Sequence, residues 1–429
     1  MEEAANGEEG PIRPIKWTRQ DYSRVPFAVF HDADRYQREM QRIFAGSAWQ
    51  FLGFAAEIPK PGDFRTAILG ETPIIYNRDT DGRIHAFVNR CAHRGSVVRR
   101  EPYGNAKDHV CIYHQWCYGL DGSLLGVPFQ RGLAGQGGLP ADFKRSDHGL
   151  RRLRLENFRG ALFVNFDDEA ASLEEYLGEE IGGWLASLLK GEVRILGYQR
   201  QYVRGNWKLY AENSRDQYHG SLLHRFQGAL ITRTVTEGGL RLDRRHRHSL
   251  IYSMPGRKSL EVDSARTQED VVHDVGGADR LRRMTMLRHI DEYGDGVGSA
   301  ICSLFPAVVF QRIRNSLCTR VIRPKGPEAF ELHWTLFGFA DDSEELTAHR
   351  LLQANIGGPA GYVSLEDGEA IELVHNATKQ ATEEASLLEM GGIGPIPEHV
   401  TTRMNELSVR GFWSYYAELM GEEPEGAIR

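Results

Sequence analysis

Two short pairs of metal-ligating residues stand close together in this chain, Cys91-Ala-His93 and Cys111-Ile-Tyr-His114, with seventeen residues between them. Four such side chains can share one centre only if the chain folds back on itself, so that two loops offer their ligands side by side, as adjacent hairpin tips do. Two thiolates and two imidazoles suit a two-iron, two-sulfide cluster in which the cysteines hold one iron and the histidines the other. Replacing two thiolates by neutral imidazoles raises the reduction potential, and such a cluster passes one electron at a time. Structural zinc also accepts two Cys and two His, but its first pair usually has roughly two to four intervening residues, whereas only Ala92 separates Cys91 from His93. The pairing of C-x-H with C-x-x-H is also far more specific than a lone C-x-x-C. Gly95 and Gly119 follow the two pairs and are expected to supply the backbone freedom for turning there.

The other three cysteines are read as packed thiols: Cys117 lies just past His114, and Cys302 and Cys318 sit in apolar, strand-like sequence. An odd total of five cysteines is no disulfide framework. A net charge of -7 leaves no basic excess to neutralise a phosphate backbone, which argues against nucleic acid as a general partner. The acidic start, Met1 to Gly10, lacks the layout of a signal peptide, and no apolar run approaches the roughly 18 residues of a membrane span. A cytoplasmic location is the expectation.

At 429 residues the chain has room for two or three domains. From Gly46 to about Phe166 it reads as a small all-β module, with strands expected at Phe64 to Leu69, Pro73 to Asn77, His85 to Asn89 and Ala161 to Phe166. The Gly- and Pro-rich run from Gly126 to Asp147 reads as a long surface loop. Ser172 with Glu175 forms a capping box opening a helix whose stripe runs from Leu173 to Leu189. A second helical stretch is expected around Trp207 to Arg225, and the polar region Arg257 to Arg283 has the weak periodicity of a mobile segment. Three strands should follow as a meander, Ala307 to Ile313, Ser316 to Arg323 and Phe330 to Phe339, the first two joined near Arg314 and Asn315. Helices are then expected at Glu344 to Asn355 and His399 to Met420. The domains are accordingly set at 1–45 (an N-terminal segment packing on the catalytic part), 46–166 and 167–429.

A second group of ligands lies in the stretch from Asn206 to Phe226: Asp216, His219 and His224. Two histidines five apart lie roughly 140° around a regular helix, so they converge on one ion only if the helix loosens between them, and Gly220 is where that break is expected. Two imidazoles plus a carboxylate leave three positions open on an octahedral Fe(II), the arrangement used for dioxygen activation. Asp367 is the first choice for the carboxylate, with Glu366 and Glu369 as fallbacks. Asp216 suits an imidazole N–H acceptor better than a direct ligand. A one-electron cluster needs a destination, and an iron with open positions supplies one.

The motifs CAHRG from Cys91, CIYHQWCY from Cys111, NWKLYAEN from Asn206, D-x-Y-H-x-x-x-x-H from Asp216 to His224 and GPAGYVSLEDGE from Gly358 make the chain resemble the large (alpha) subunits of Rieske non-haem iron aromatic-ring-hydroxylating oxygenases. SRVPF at Ser23, GQGGLPADF at Gly135 and SVRGFW at Ser408 resemble the terephthalate dioxygenase and salicylate 5-hydroxylase branch. The resemblance implies an α+β fold, with an all-β Rieske [2Fe–2S] domain inserted into a helix-grip catalytic domain, an antiparallel sheet around a long helix. It also implies a homotrimer or an α3β3 assembly with a small β subunit, in which an aspartate matching Asp216 bridges one protomer's cluster to the next protomer's iron. The naphthalene branch has one more residue between the positions of Asn213 and Asp216, which leaves the role of Asn213 open.

Alternation along Ser316 to Arg323 puts Cys318, Arg320 and Ile322 on one face, so Arg320 is an arginine on an otherwise apolar surface. Burying that charge is costly without an anion. In the aromatic-acid branch, arginines matching Arg320 and Arg410 are expected to grip a substrate carboxylate; an internal salt bridge is the alternative. Arg312 and Arg314 are read as surface or subunit-interface charges. The expected activity is hydroxylation of an aromatic carboxylic acid with O2. The alternatives are a non-benzoate aromatic such as an arylacetate or indole derivative and, more distantly, a plain electron carrier or a zinc-stabilised binding protein. Without a Gly-rich dinucleotide fingerprint, electrons must come from a separate reductase, with or without a ferredoxin.

Overall fold

The computed structural model describes residues 14–224, 238–254, 286 and 288–428, so the segment Arg257 to Arg283 lies outside the described residues. Ten short strands come first: β1 (Gln50–Phe54), β2 (Asp63–Leu69), β3 (Thr72–Arg78), β4 (Ile84–Val88), β5 (Tyr103–Asn105), β6 (His109–Val110), β7 (Cys117–Tyr118), β8 (Leu124–Gly126), β9 (Arg154–Phe158) and β10 (Ala161–Asn165). They form three antiparallel sheets, ordered β4-β3-β2-β5, β6-β7-β8 and β1-β10-β9. The four strands expected from aromatic and β-branched content fall on β2, β3, β4 and β10, within a residue at each end.

Every residue of β1 and β10 is buried, and the reason is two-sided packing. Phe51, Phe54, Ala161 and Phe163 join the large core of the molecule, with Phe51 stacked edge-on against Phe310 at 5.2 Å. Leu52, Leu162 and Val164 face the other way, toward Ile58, Ala67, Ile74 and Val88. This small sheet therefore joins the large core on one side to the sheet of β2, β3 and β4 on the other.

The remaining strands are β11 (Val193–Arg204), β12 (Gly238–Leu242), β13 (Ser249–Ser253), β14 (Ser299–Leu304), β15 (Val308–Ile313), β16 (Ser316–Pro324), β17 (Ala329–Phe339) and β18 (His399–Val400). They build one eight-stranded sheet, β11-β17-β16-β15-β14-β13-β12-β18, antiparallel throughout. The expected meander is β15-β16-β17, and its first turn places Arg314 at φ 54. Arg312 departs from expectation: it is 2% exposed, paired with Asp295 at 2.6 Å and stacked on the Tyr293 ring.

The helices are α1 (Ala33–Glu39), α2 (Leu173–Leu177), α3 (Glu179–Leu188), α4 (Trp207–Asn213), α5 (Glu344–Gly357), α6 (Val363–Thr378) and α7 (Leu407–Met420). The capping box at Ser172 forms, but Gly178 at φ 72 splits the single expected helix into α2 and α3. The helix expected from His399 starts only at Leu407, because Thr402 and Asn405 turn their side-chain oxygens onto the nearby N–H groups of Met404 and Leu407. His399 and Val400 instead extend the sheet beside β12. In α7, 12 of 14 residues are buried, the mark of a helix enclosed on all sides. Phe412 meets Trp207 and Phe305, and Trp413 meets Phe30.

Helix α4 is anchored at its start by a buried ion pair. Lys208 Nζ lies 2.7 Å from Glu39 Oε1, and Trp207 Nε1 and the Tyr416 hydroxyl also donate to Glu39, at 2.8 and 2.6 Å. Neither charged side chain is more than 1% exposed. Removing one partner of such a pair strands the other charge, at a cost of roughly 3–5 kcal/mol. Lys208→Met should lower the unfolding free energy read from denaturant titration by that much; a loss below about 1 kcal/mol would mean that Trp207 and Tyr416 suffice to solvate Glu39.

Candidate metal centres

The two ligand loops of the β module share one backbone design. The Cys91 and Cys111 carbonyls accept from the N–H groups of Gly95 and Gln115, and their own N–H groups donate to the Ser96 and Trp116 carbonyls, all at 2.8–3.0 Å. Each loop needs a left-handed residue four places after its cysteine: Gly95 at φ 72 and Gln115 at φ 55. Gly95 thus serves as expected, whereas Gly119 does not, because Gln115 takes the turn in the second loop. A Cβ on Gly119 would approach Asp121 Oδ1 to 2.6 Å, so this glycine permits close packing of the next turn.

Cys91 and Cys111 are buried, His93 is exposed and His114 half-buried. The two imidazole centroids lie 4.5 Å apart, and His93 stacks on Trp116 at 4.9 Å with planes 3° apart. The Tyr118 hydroxyl is 3.1 Å from Cys91 Sγ and accepts from Ala92 N–H, which leaves its proton directed at the sulfur.

Helix α4 ends at Asn213, not near Arg225, and the break precedes His219 instead of falling at Gly220. Asp216 makes this break. Its Oδ1 captures the Tyr218 N–H at 2.6 Å and starts a single 3-10 turn, His219–Ser221. Its Oδ2 lies 2.9 Å from His219 Nδ1. On the far side, Glu366 Oε2 is 3.1 Å from His224 Nδ1. With both Nδ1 atoms held by carboxylates, both Nε2 atoms face Asp367 Oδ1, at 3.5 Å from His219 and 3.4 Å from His224. Ligands about 2.1 Å from an ion and at right angles lie about 3 Å apart, so this triangle suits one octahedral ion.

Electrostatics agree with that fit. Burial pulls the His219 pKa down, but the hydrogen bonds and charges of Asp216 and Asp367 outweigh it and push it up to about 9. Burial likewise opposes ionisation of Asp367, yet His219, His224 and Asn213 hold its pKa below the usual value. The pocket is built to hold positive charge.

Asp367 lies inside α6, after the helix α5, and is 4% exposed. Glu366 backs His224, and Glu369 is exposed. Asn213, whose role the sequence left open, donates to Asp367 Oδ1 at 3.1 Å. Tyr210, one turn earlier on α4, has its hydroxyl 2.8 Å from Arg320 Nη1; spacing along α4 could have suggested that Tyr210 and Asn213 share a face.

The face of β16 bearing Cys318, Arg320 and Ile322 is buried. Arg320 lies over the Trp334 ring, and its Nε and Nη2 are buried without a hydrogen-bond partner among the described residues. Arg410 is different and corrects the expectation made for it. It is fully buried and donates to the carbonyls of Asp21 and Gly392 at 2.9 and 2.8 Å and to that of Gly394, with Asp21 Oδ2 at 3.4 Å. Its charge fastens the N-terminal segment to α7, and each of its three nitrogens is already engaged within the chain.

Comparison with known families agrees with this arrangement. Residues 191–422 match the ring hydroxylating alpha subunit (catalytic domain), and residues 48–137 match the Rieske [2Fe–2S] domain. The chain belongs to the ring-hydroxylating alpha subunits. It is 42% identical over 409 residues to the anthranilate 1,2-dioxygenase large subunit of Burkholderia cepacia, covering 95% of this chain and 96% of that one. The terephthalate 1,2-dioxygenase terminal oxygenase component subunit alpha 2 of a Comamonas species is 41% identical, covering 95% and 98%. Among solved structures, naphthalene 1,2-dioxygenase from a Rhodococcus species bound to indole superposes with a TM-score of 0.77 at 25% identity, covering 94% and 95%.

As a ring-hydroxylating alpha subunit the protein is an oxidoreductase, the terminal oxygenase component, with a [2Fe–2S] cluster and a non-haem iron as cofactors. Such subunits work in multimers with separate reductase and ferredoxin components. No helix among the described residues is long and apolar enough to cross a membrane.

A hydrogen bond to a cluster sulfur favours the reduced, more negative state. Tyr118→Phe should therefore lower the cluster potential. One bond of about 1 kcal/mol corresponds to on the order of 40 mV for a one-electron couple, readable by spectroelectrochemical titration; an unchanged potential would disprove the hydroxyl's influence on Cys91.

Proposed function

We propose that this alpha subunit hydroxylates the ring of an aromatic carboxylic acid, with Arg320 gripping the carboxylate. The observation that carries this reading is a buried guanidinium with two nitrogens that have no hydrogen-bond partner among the described residues, tethered by Tyr210 one helical turn from the Asn213–Asp367 contact. A buried cation without an anion is costly, and a planar fork of donors suits a carboxylate bidentately. Anthranilate, terephthalate and salicylate, named for three relatives that are 40–42% identical, are all ring carboxylates.

In this reading Cys91, His93, Cys111 and His114 hold the cluster, while His219, His224 and Asp367 hold the iron. The cluster supplies single electrons, and the iron, with three of six positions left open, supplies the means to activate dioxygen. Asp216 and Glu366 fix which nitrogen of each imidazole faces the ion and which carries the proton. Asn213 steadies Asp367. Asp216, with 22% of its side chain exposed and one oxygen on His219, is the residue that would meet a neighbouring protomer's cluster in a homotrimer or α3β3 assembly. A ferredoxin, a reductase or both would feed that cluster.

Oxygen uptake with a matched reductase, screened over benzoate, hydroxybenzoates, aminobenzoates, phthalate isomers, arylacetates and uncarboxylated rings, tests the substrate class; turnover of the neutral rings alone would sink it. Arg320→Gln should lower kcat/KM for the preferred acid by roughly 10- to 150-fold, the worth of a charged hydrogen bond of about 1.5–3 kcal/mol. Asp367→Ala should abolish turnover while the visible spectrum of the cluster persists; a fully active variant would remove Asp367 from the ligand set.

A further inference from the structure

A second cluster of donors lies on α6, sharing no residue with either centre above. His31, at the end of a short 3-10 turn, Phe27–Phe30, meets His375 in the last turn of α6 and Glu328 in the β16–β17 turn, with one ligand atom of each within 4.8 Å of the others. The His31 and His375 ring centroids are 4.6 Å apart. His375 Nε2 is 3.5 Å from Glu328 Oε2. Asp367 and His375 are eight residues apart, which separates the two clusters by about 12 Å along the helix axis.

The hydrogen bonding prepares this cluster for a cation. The Thr378 hydroxyl donates to the Val374 carbonyl at 2.8 Å, so it can only accept from His31 Nε2, 2.9 Å away. His31 Nε2 therefore carries the proton and Nδ1 is a bare lone pair, the orientation that an outer-shell partner imposes on a metal-binding histidine. Among the described residues that Nδ1 is buried with no hydrogen-bond partner, and the buried ring nitrogens of His375, a residue 3% exposed, make no hydrogen bond beyond the 3.5 Å contact of Nε2 with Glu328. Two packed imidazoles with unused nitrogens are costly in a core unless something engages them. Burial lowers the pKa of both rings, the direction that favours the neutral form. Lys379 Nζ, 2.6 Å from Glu328 Oε2, is the competing cation. Both side chains of that pair are about half exposed, and such surface pairs contribute little and yield easily.

We propose that His31, His375 and Glu328 form a further metal site that takes a divalent transition ion of the zinc type and pins the N-terminal segment to the end of α6 and the β16–β17 turn. Two imidazoles and one carboxylate are a usual three-residue donor set for Zn2+, which leaves a fourth position for water.

The test is equilibrium dialysis of the holoenzyme against Zn2+, with zinc and iron both counted by elemental analysis. One extra zinc per chain is expected with the iron content unchanged. His31→Ala should remove it, and Glu328→Gln, at a half-exposed position that does not threaten folding, should weaken it at least tenfold; far-UV circular dichroism and an unchanged iron content verify that each variant is folded. Zinc gained only as iron is lost, zinc binding equal in wild type and both variants, or no zinc uptake at all would each overturn the proposal.

Discussion

A carboxylate enclosed in protein must be met by positive charge or by hydrogen-bond donors, and at Asp367 that requirement organises the molecule's centre. Asp367 sits on α6 with 4% of its surface exposed, facing two imidazoles and the Asn213 amide. Those imidazoles reach it because Asp216 ends the helical path and re-aims the chain through one 3-10 turn. The outer carboxylates, Asp216 and Glu366, then hold each ring by its other nitrogen. Three acidic groups around two histidines leave an excess of negative charge that only a cation offsets, which is why His219 is driven toward its protonated form where no ion is present.

Holding that geometry requires α4 and α6 to be fixed against each other. Helix α4 has only 7 residues, too few to be stable alone. Its first turn is anchored through Lys208 and Trp207 to Glu39 on α1, and Tyr416 of α7 reaches the same carboxylate. Its last turn presents Tyr210 and Asn213, one to the cation on β16 and the other to the carboxylate on α6. The buried ion pair at one end of α4 thus sets the position of the polar contacts at the other. Arg320 and Asp367 are joined through a single helical turn, so the group proposed to orient the substrate and the group proposed to hold the iron move as one body.

Much of this was legible because ligand spacing and strand alternation are local properties. The cysteine–histidine pairs, the meander β15-β16-β17 and the burial of Cys318, Arg320 and Ile322 on one face all follow from residues within a few positions of each other. What could not be read depended on side chains competing for backbone groups or on distant partners. Asp216 overrode the helical pattern by capturing one N–H, and Thr402 and Asn405 delayed the start of α7 in the same way. Gln115 took the left-handed conformation for which Gly119 was the obvious candidate, since the loop geometry fixes the fourth position after the cysteine whatever residue stands there. Arg320 and Arg410 look equivalent in sequence, two arginines in apolar surroundings. They differ in their neighbours: three carbonyls and a carboxylate, from Asp21 and from the loop before α7, satisfy Arg410, and among the described residues no such set faces Arg320.

The cluster loops have a polarity that follows from the same reasoning about burial. Cys91 and Cys111 lie inside, packed with Phe87, Trp116 and Tyr118, and Cys91 meets the Tyr118 hydroxyl, while the histidine pair lies at the tip among exposed Ile112, Tyr113 and Val97. A cluster on these four residues would turn its imidazole-bound iron outward and keep its thiolate-bound iron in the core. Neutral imidazoles tolerate that exposed position better than thiolates would, because an approaching protein surface that excludes water removes no solvation from a charge there. Trp116, stacked on His93 and itself packed against Phe143 and His148, holds the outward ring in register. The orientation of the tip, and with it the direction in which an electron can leave, is therefore set by packing beneath the ligands, and a partner surface has only to cover an apolar rim already aligned for it.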